Sequence, residues 1–150
     1  HLLSKTLLIK GKQGVYRTDR MGVYDNSGLV YLAVEPEKVK TEITLFFKDL
    51  KELLDAELST LEVFYHASII HLKLAQIHPF WDGNGRSARL IEKWFLAEKI
   101  GDEAWKIESE HFYKVNMPNY YKNINLGMDY YSVNYDLCLP FVKMLVNSLA

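Results

Sequence analysis

The sequence predicts a mainly α-helical bundle with one small β-hairpin near its N-terminus. Three observations predict it. Apolar residues recur at spacings of three and four through residues 49–77, and a second such run fills residues 84–99. Near the start, Asp25-Asn26-Ser27-Gly28 separates two short apolar segments, which suits a hairpin connection of four or five residues.

Taken in order, residues 1–10 alternate poorly and read as either a short helix or a short strand. Gly11-Lys12-Gln13-Gly14 reads as a turn, and Val15-Tyr16-Arg17 as a short strand. The hairpin strands are expected at residues 21–24 and 29–34, with Pro36 closing the section and a short helix following over residues 37–47. In the long run, Leu50, Leu53, Leu54, Leu58, Leu61, Tyr65, Leu72 and Ala75 form one apolar stripe, with Ser68 and His71 in its one long gap and room for a short break early on. Pro79 should end that helix, because the residue before proline is biased away from helical geometry. The next helix starts at Asn84 or Gly85, buries Leu90, Ile91, Trp94 and Phe95, and stops at Gly101. Residues 102–113 are expected to be helical and Asn116-Met117-Pro118-Asn119 to break the chain before a helical turn with Tyr120 and Tyr121. Residues 127–136 read as irregular, and residues 139–149 as a last helix with Phe141, Val142, Leu145 and Val146 inward.

The bulk composition narrows the function classes. The chain has 150 residues, which fits one domain over residues 1–150. It is 49% hydrophobic and 25% charged, the balance of a soluble globular protein. Its formal net charge of -1, from 18 basic and 19 acidic side chains, argues against broad nucleic-acid binding. No apolar run is long enough to span a membrane. Cys138 is the one cysteine, flanked by leucines, so a buried thiol and a reducing, cytoplasmic setting are expected. The start, His1-Leu2-Leu3-Ser4, lacks a signal-peptide pattern and an initiator methionine, so the chain is expected to be a piece of a longer protein.

The chemistry is concentrated in His78-Pro79-Phe80-Trp81-Asp82-Gly83-Asn84-Gly85-Arg86-Ser87-Ala88-Arg89. Two glycines flanking Asn84 can turn successive N–H groups toward one point, a nest that cradles anions. A helix beginning there adds unpaired N–H groups and a dipole favourable to phosphate. Arg86 and Arg89, three apart, share a face of its first turn. Cations are unfavourably placed at a helix N-terminus, so this pair implies a bound polyphosphate. Asp82 offers a hard oxygen for magnesium, whose remaining ligands would be phosphates and waters. His78 has an ordinary pKa that allows it to take a proton at neutral pH. A base, a metal ligand, an anion nest and two phosphate clamps are the parts of phosphoryl or nucleotidyl transfer. The ATPase phosphate loop, the dinucleotide fingerprint and the kinase glycine loop are all absent. His66 and His71 read as structural. Phe80 reads as a core residue that locks the loop, and Trp81 as exposed.

This run resembles the signature of the Fic family (filamentation induced by cAMP, also called Fido domains), His-x-Phe-x-Asp/Glu-Gly-Asn-Gly-Arg-x-x-Arg, at every fixed position. Residues 67–78, the Tyr120-Tyr121 pair and the hairpin region are also similar to that family. The resemblance implies a Fic-type helical bundle with a hairpin flap and an enzyme using ATP and Mg2+. Such an enzyme transfers AMP to a Ser, Thr or Tyr hydroxyl of a target protein and releases pyrophosphate. It implies His78 as general base and Asp82 as magnesium ligand. It further implies Gly83, Asn84 and Gly85 as anion hole, Arg86 and Arg89 as phosphate clamps, Phe80 as loop anchor and Tyr121 beside the adenine. The chain departs from some relatives where Met128 replaces an asparagine. Many relatives also carry an inhibitory helix, Ser/Thr-x-x-x-Glu-Gly/Asn. Here no glutamate precedes Gly or Asn, so such a helix would come from an N-terminal segment or a separate protein. Transfer of UMP or phosphocholine, a non-enzymatic phosphate- or peptide-binding module, and a homo-oligomer stay open.

Overall fold

A computed structural model describes residues 10–149. The hairpin is β1 (Gly22–Asp25) and β2 (Gly28–Leu32), followed by α1 (Pro36–Asp55), α2 (Thr60–Ile77) and α3 (Asn84–Ile100). Three shorter helices complete the bundle: α4 (Ser109–Val115), α5 (Met117–Ile124) and α6 (Leu139–Asn147). Short 3-10 turns occupy Lys10–Lys12, Asp102–Lys106 and Tyr135–Leu137. The expected architecture, helices plus one small hairpin, is the observed one. The expectation for residues 1–9 lies outside the described residues.

The periodic run proves to be two helices rather than one stripe. α1 continues from Pro36 through Asp55, well past the expected end at Phe47, and residues 56–59 break the chain before α2. The restart is a capping box. The Ser59 hydroxyl accepts from Glu62 N–H, and the Glu62 carboxylate accepts from Ser59 N–H at 2.8 Å. This break shifts the helical phase, so Leu61 and Tyr65 face solvent while Ser68 and His71 are fully buried. The four-residue signature Ser59-Thr60-Leu61-Glu62 was a readable signal for it.

α2 is buried on two sides, which places it at the centre of the bundle. Val63, Phe64, Ile70 and Leu74 join Val39, Ile43, Phe46 and Leu50 of α1 and Phe95 and Leu96 of α3 in the larger core. Leu72, on another side of α2, joins Tyr113, Tyr120, Phe141 and Met144 of α4, α5 and α6 in a second core. Cys138 is buried there as expected, with a free thiol. On α3, Leu90 is exposed, contrary to expectation, whereas Glu92 and Lys93 are buried. On α6, Met144 takes the inward place expected of Val146. Asn116 does not break the chain for long, since α5 begins at the next residue with Pro118 in its first turn, where a missing N–H does no harm. Among the described residues no helix is long and apolar enough to cross a membrane.

The hairpin turn is tighter than expected, with two residues between the strands and a register shift between Val23 and Tyr24. Asp25 Oδ1 accepts from Ser27 N–H at 2.7 Å and closes the turn. On its other edge β2 meets residues 128–130 through Leu32 N–H to Met128 O and Tyr130 N–H to Leu32 O. The Tyr31 hydroxyl donates to Gln76 O at 2.8 Å, which ties the hairpin to α2 two residues before His78. Among the described residues no strand pairs with the outer edge of β1. Replacing the capping serine, Ser59→Ala, should lower stability by about 1 kcal/mol and Tm by about 2–4 °C in a thermal melt, with the fold unchanged.

Candidate active site

The turn between α2 and α3 is built by three local devices. First, α2 ends at His78, which has φ 51° and ψ 56°, the one positive φ of a non-glycine among the described residues. Pro79 disfavours right-handed helix at His78, and left-handed geometry in a non-glycine is strain of the kind that collects at functional sites. Second, Gly83 has φ 84°, accessible to glycine without strain, and lets the chain turn into α3. Third, Asn84 is buried and clasps Phe80 from both sides. Phe80 N–H donates to Asn84 Oδ1 and Asn84 Nδ2 donates to Phe80 O, each at 2.8 Å. Phe80 itself is half-buried against Tyr16, with ring centroids 6.0 Å apart, so the loop is locked by Asn84 and the fully buried Pro79 rather than by a Phe80 core contact. Trp81, expected to be exposed, is half-buried beneath Lys12 Nζ, 3.6 Å from its ring.

Arg17 holds the strained end of α2, and sequence reasoning missed it. It is not in a strand. Its side chain is 1% exposed and donates to His78 O at 2.7 Å, Ile77 O at 3.3 Å and Val34 O, while its own N–H donates to Pro79 O at 2.9 Å. One planar fork thus meets the carbonyls that the last turn leaves unpaired and places a cation at the negative end of the helix dipole. Nothing in local spacing marks this residue, because its partners lie about 60 positions away.

His78 is oriented by its own helix. Its Nδ1 donates to Ala75 O at 3.1 Å, which leaves Nε2 as the lone-pair nitrogen. Burial pushes its pKa below the ordinary value of 6.5, the Ala75 bond opposes this, and nearby Arg17 adds to it. The ring is therefore neutral at pH 7 and able to accept a proton.

The nest follows at the start of α3. Ser87 is the first residue of α3 to find a carbonyl one turn back, Gly83 O at 2.8 Å, so the N–H groups of Asn84, Gly85 and Arg86 lie ahead of the intrahelical ladder. Each glycine makes room for an arginine. A Cβ on Gly83 would come within 3.3 Å of Arg86 Nη2, and one on Gly85 within 3.3 Å of Arg89 Nη1 and 4.0 Å of the Tyr120 hydroxyl. Arg86 Nη2 pairs with Asp82 Oδ2 at 2.8 Å, and Arg89 Nε with Glu110 Oε1 at 3.5 Å. Arg89 also faces a recess of about 380 Å³ that Lys93, Trp105 and His111 help line. Another recess, about 310 Å³ between α1 and α2, contains none of the residues 78–89. Tyr121 is 58% exposed and packs edge-on against Tyr120, so Tyr120 is the member of the pair that reaches the nest.

A model of the Fic/DOC family matches residues 2–96. The chain belongs to the Fic/DOC family. The matched region includes the whole of this turn and both helices' contributions to it. "Protein adenylyltransferase fic-1" of Caenorhabditis elegans is 40% identical over 62 residues, covering 41% of this chain and 11% of that protein. "Protein adenylyltransferase Fic" of Drosophila erecta is 41% identical over 56 residues, covering 37% and 11%. The chain thus spans about a tenth of the length of these curated relatives. In fold, it is similar to a Fic family protein from Desulfovibrio desulfuricans G20, with a TM-score of 0.75 at 22% identity over 99% of this chain and 41% of that one. A Fic domain containing signaling protein from Bacteroides thetaiotaomicron VPI-5482 gives 0.66 at 22% identity, over 91% and 52%.

For a Fic/DOC chain, the magnesium question turns on its donor set. Among the described residues no group of three or more His, Cys, Asp or Glu side chains could hold a metal. Asp82 alone, half-exposed beside a nest for phosphate oxygens, fits an ion that takes one or two carboxylates and draws its other ligands from phosphate and water.

Arg17→Lys should cost about 2 kcal/mol or more, since a single ammonium cannot serve these carbonyls at once; a urea melt checks it. For His78, an NMR titration should give a midpoint below 6.5. Because the unfolded chain binds this proton more readily than the folded one, stability should fall as pH drops below about 6.5.

Proposed function

We propose that this chain transfers AMP from ATP to a Ser, Thr or Tyr hydroxyl of a target protein, releasing pyrophosphate. The observation that carries the reading is the pairing of a neutral, oriented His78 with an arginine-flanked nest in one turn. The names of the matched relatives, adenylyltransferases, agree with it.

In the proposed reaction the N–H groups of Asn84, Gly85 and Arg86 and the side chains of Arg86 and Arg89 bind the phosphates of ATP. The exposed Asp82–Arg86 pair is worth little by itself, so Arg86 readily exchanges the carboxylate for phosphate oxygens and releases Asp82 to hold magnesium. Magnesium bound there would neutralise phosphate charge and polarise the phosphorus under attack. The target hydroxyl oxygen forms a bond to the α-phosphorus, its proton passes to His78 Nε2, and the bond to pyrophosphate breaks with its electron pair. Tyr121, exposed and packed edge-on against Tyr120, is the proposed neighbour of the adenine. The open edge of β1 is the proposed docking line for an extended target segment, by strand addition. The partner is then a protein presenting a hydroxyl side chain in an extended stretch.

Intact-protein mass spectrometry with ATP, Mg2+ and candidate hydroxyl-bearing proteins tests this. Wild type should add one AMP unit to itself or a target. His78→Ala should slow this by about 10²–10⁴-fold, and its acid limb in wild type should fall below pH 6.5. Equal transfer by His78→Ala would overturn the role of the base.

A further inference from the structure

A second set of polar groups, none of them in the 78–89 run except its last arginine, converges behind the nest. His71 and Glu92 are both wholly buried. His71 Nδ1 lies 2.6 Å from Glu92 Oε2, and the same oxygen accepts from the Tyr113 hydroxyl at 2.9 Å. His71 Nε2 lies 2.9 Å from the Tyr120 hydroxyl, which is in turn hydrogen-bonded to Arg89. The imidazole is boxed by Tyr113, Tyr120 and Phe141, with ring centroids 5.6, 5.8 and 5.0 Å away.

The polarity of the chain follows from donor inventory. A guanidinium only donates, so the Tyr120 oxygen accepts from Arg89. Nδ1–H donates to the Glu92 carboxylate, and on a neutral imidazole the Tyr120 hydroxyl proton then points at His71 Nε2. Burial keeps the Tyr120 hydroxyl protonated, with its pKa up at about 12, so the donor is present at any working pH. Each link orients the next, from a buried carboxylate to a cation at the surface. The set is not arranged for stability alone. Glu92 Oε1 is buried and has no hydrogen-bond partner among the described residues, and an apolar side chain would fill the place without that penalty.

We propose that Glu92, His71 and Tyr120 form a buried positioning chain that holds the Arg89 guanidinium beside Gly85, aimed at the phosphate nest. It rests on the reading of the nest as an ATP-phosphate site. Without the Tyr120 hydroxyl, the ion pair left to Arg89 among the described residues is its long, exposed contact with Glu110, and the side chain samples other directions. Tyr120, His71 and Glu92 touch no reacting atom, so their effect must pass through Arg89.

The test is a double-mutant cycle on the 150-residue chain, read by calorimetric binding of Mg-ATP and of tripolyphosphate. Tyr120→Phe keeps the ring and should melt as a folded protein. It should bind both ligands about tenfold more weakly, and should add no further loss in an Arg89→Ala background. In transfer assays the loss should appear in KM for ATP, not in kcat. Unchanged binding by Tyr120→Phe, or the same extra loss with and without Arg89, overturns the proposal. An independent check needs no variant. Nitrogen NMR of His71 should show a protonated Nδ1 and a bare Nε2, and a protonated Nε2 overturns the chain's polarity. If wild type binds neither ligand, the nest reading falls and takes this proposal with it. If wild type binds both but transfers no AMP, the positioning chain stands and the proposed reaction falls.

Discussion

A carboxylate removed from water must be given partners, and Glu92 finds its partners on other helices. It lies on α3, accepts from His71 on α2 and from Tyr113 on α4, and through His71 is linked to Tyr120 on α5. Phe141 of α6 closes the box around the imidazole. Moving α2 or α4 away from α3 would leave the buried Glu92 side chain without a donor, at a penalty of about 1–3 kcal/mol or more. The relative placement of α2 and α3 is therefore more narrowly set than apolar packing alone would require, and the turn between them inherits that precision.

That turn is held from two directions. From inside, the polar chain ends at Tyr120, against the space above Gly85. From the N-terminal side, Arg17 grips the carbonyls of Ile77 and His78 and accounts for the left-handed ending of α2. Between them Asn84 clasps Phe80. In this turn Asp82 and Arg86 form an ion pair across one helical turn, a part-exposed contact that a stronger anion or cation can displace. A backbone held from both sides thus carries charged side chains that can change partners.

The two glycines show how backbone and side chains share this work. Gly83 is favoured by its positive φ, and at both Gly83 and Gly85 a Cβ would press on an arginine guanidinium, which would have to shift. Main-chain donors at the start of α3 thus have arginine side chains close against them, which is why substitution at either glycine would disturb an arginine.

Much of this was legible in the chain itself. The helix and hairpin content followed from apolar spacing and turn residues, and the 78–89 run identified the family because its residues are contiguous and each is constrained by local geometry. A local signal also exists for the capping box at Ser59, which fixes where the short break in the periodic run falls. What sequence could not show is the part made by distance. Arg17 meets its partners about 60 positions away, and His71, Glu92 and Tyr120 are spaced by 21 and 49 positions from one another across three helices. Leu90, expected inside, is exposed while Glu92 is buried, because burial on α3 is decided by which neighbours pack on it. By itself the sequence determined the elements, the family motif and the chemistry it offers. Only the tertiary structure decided which buried polar groups stand behind it, since a hydrogen bond between distant residues exists only once the chain has folded to bring donor and acceptor within about 3 Å.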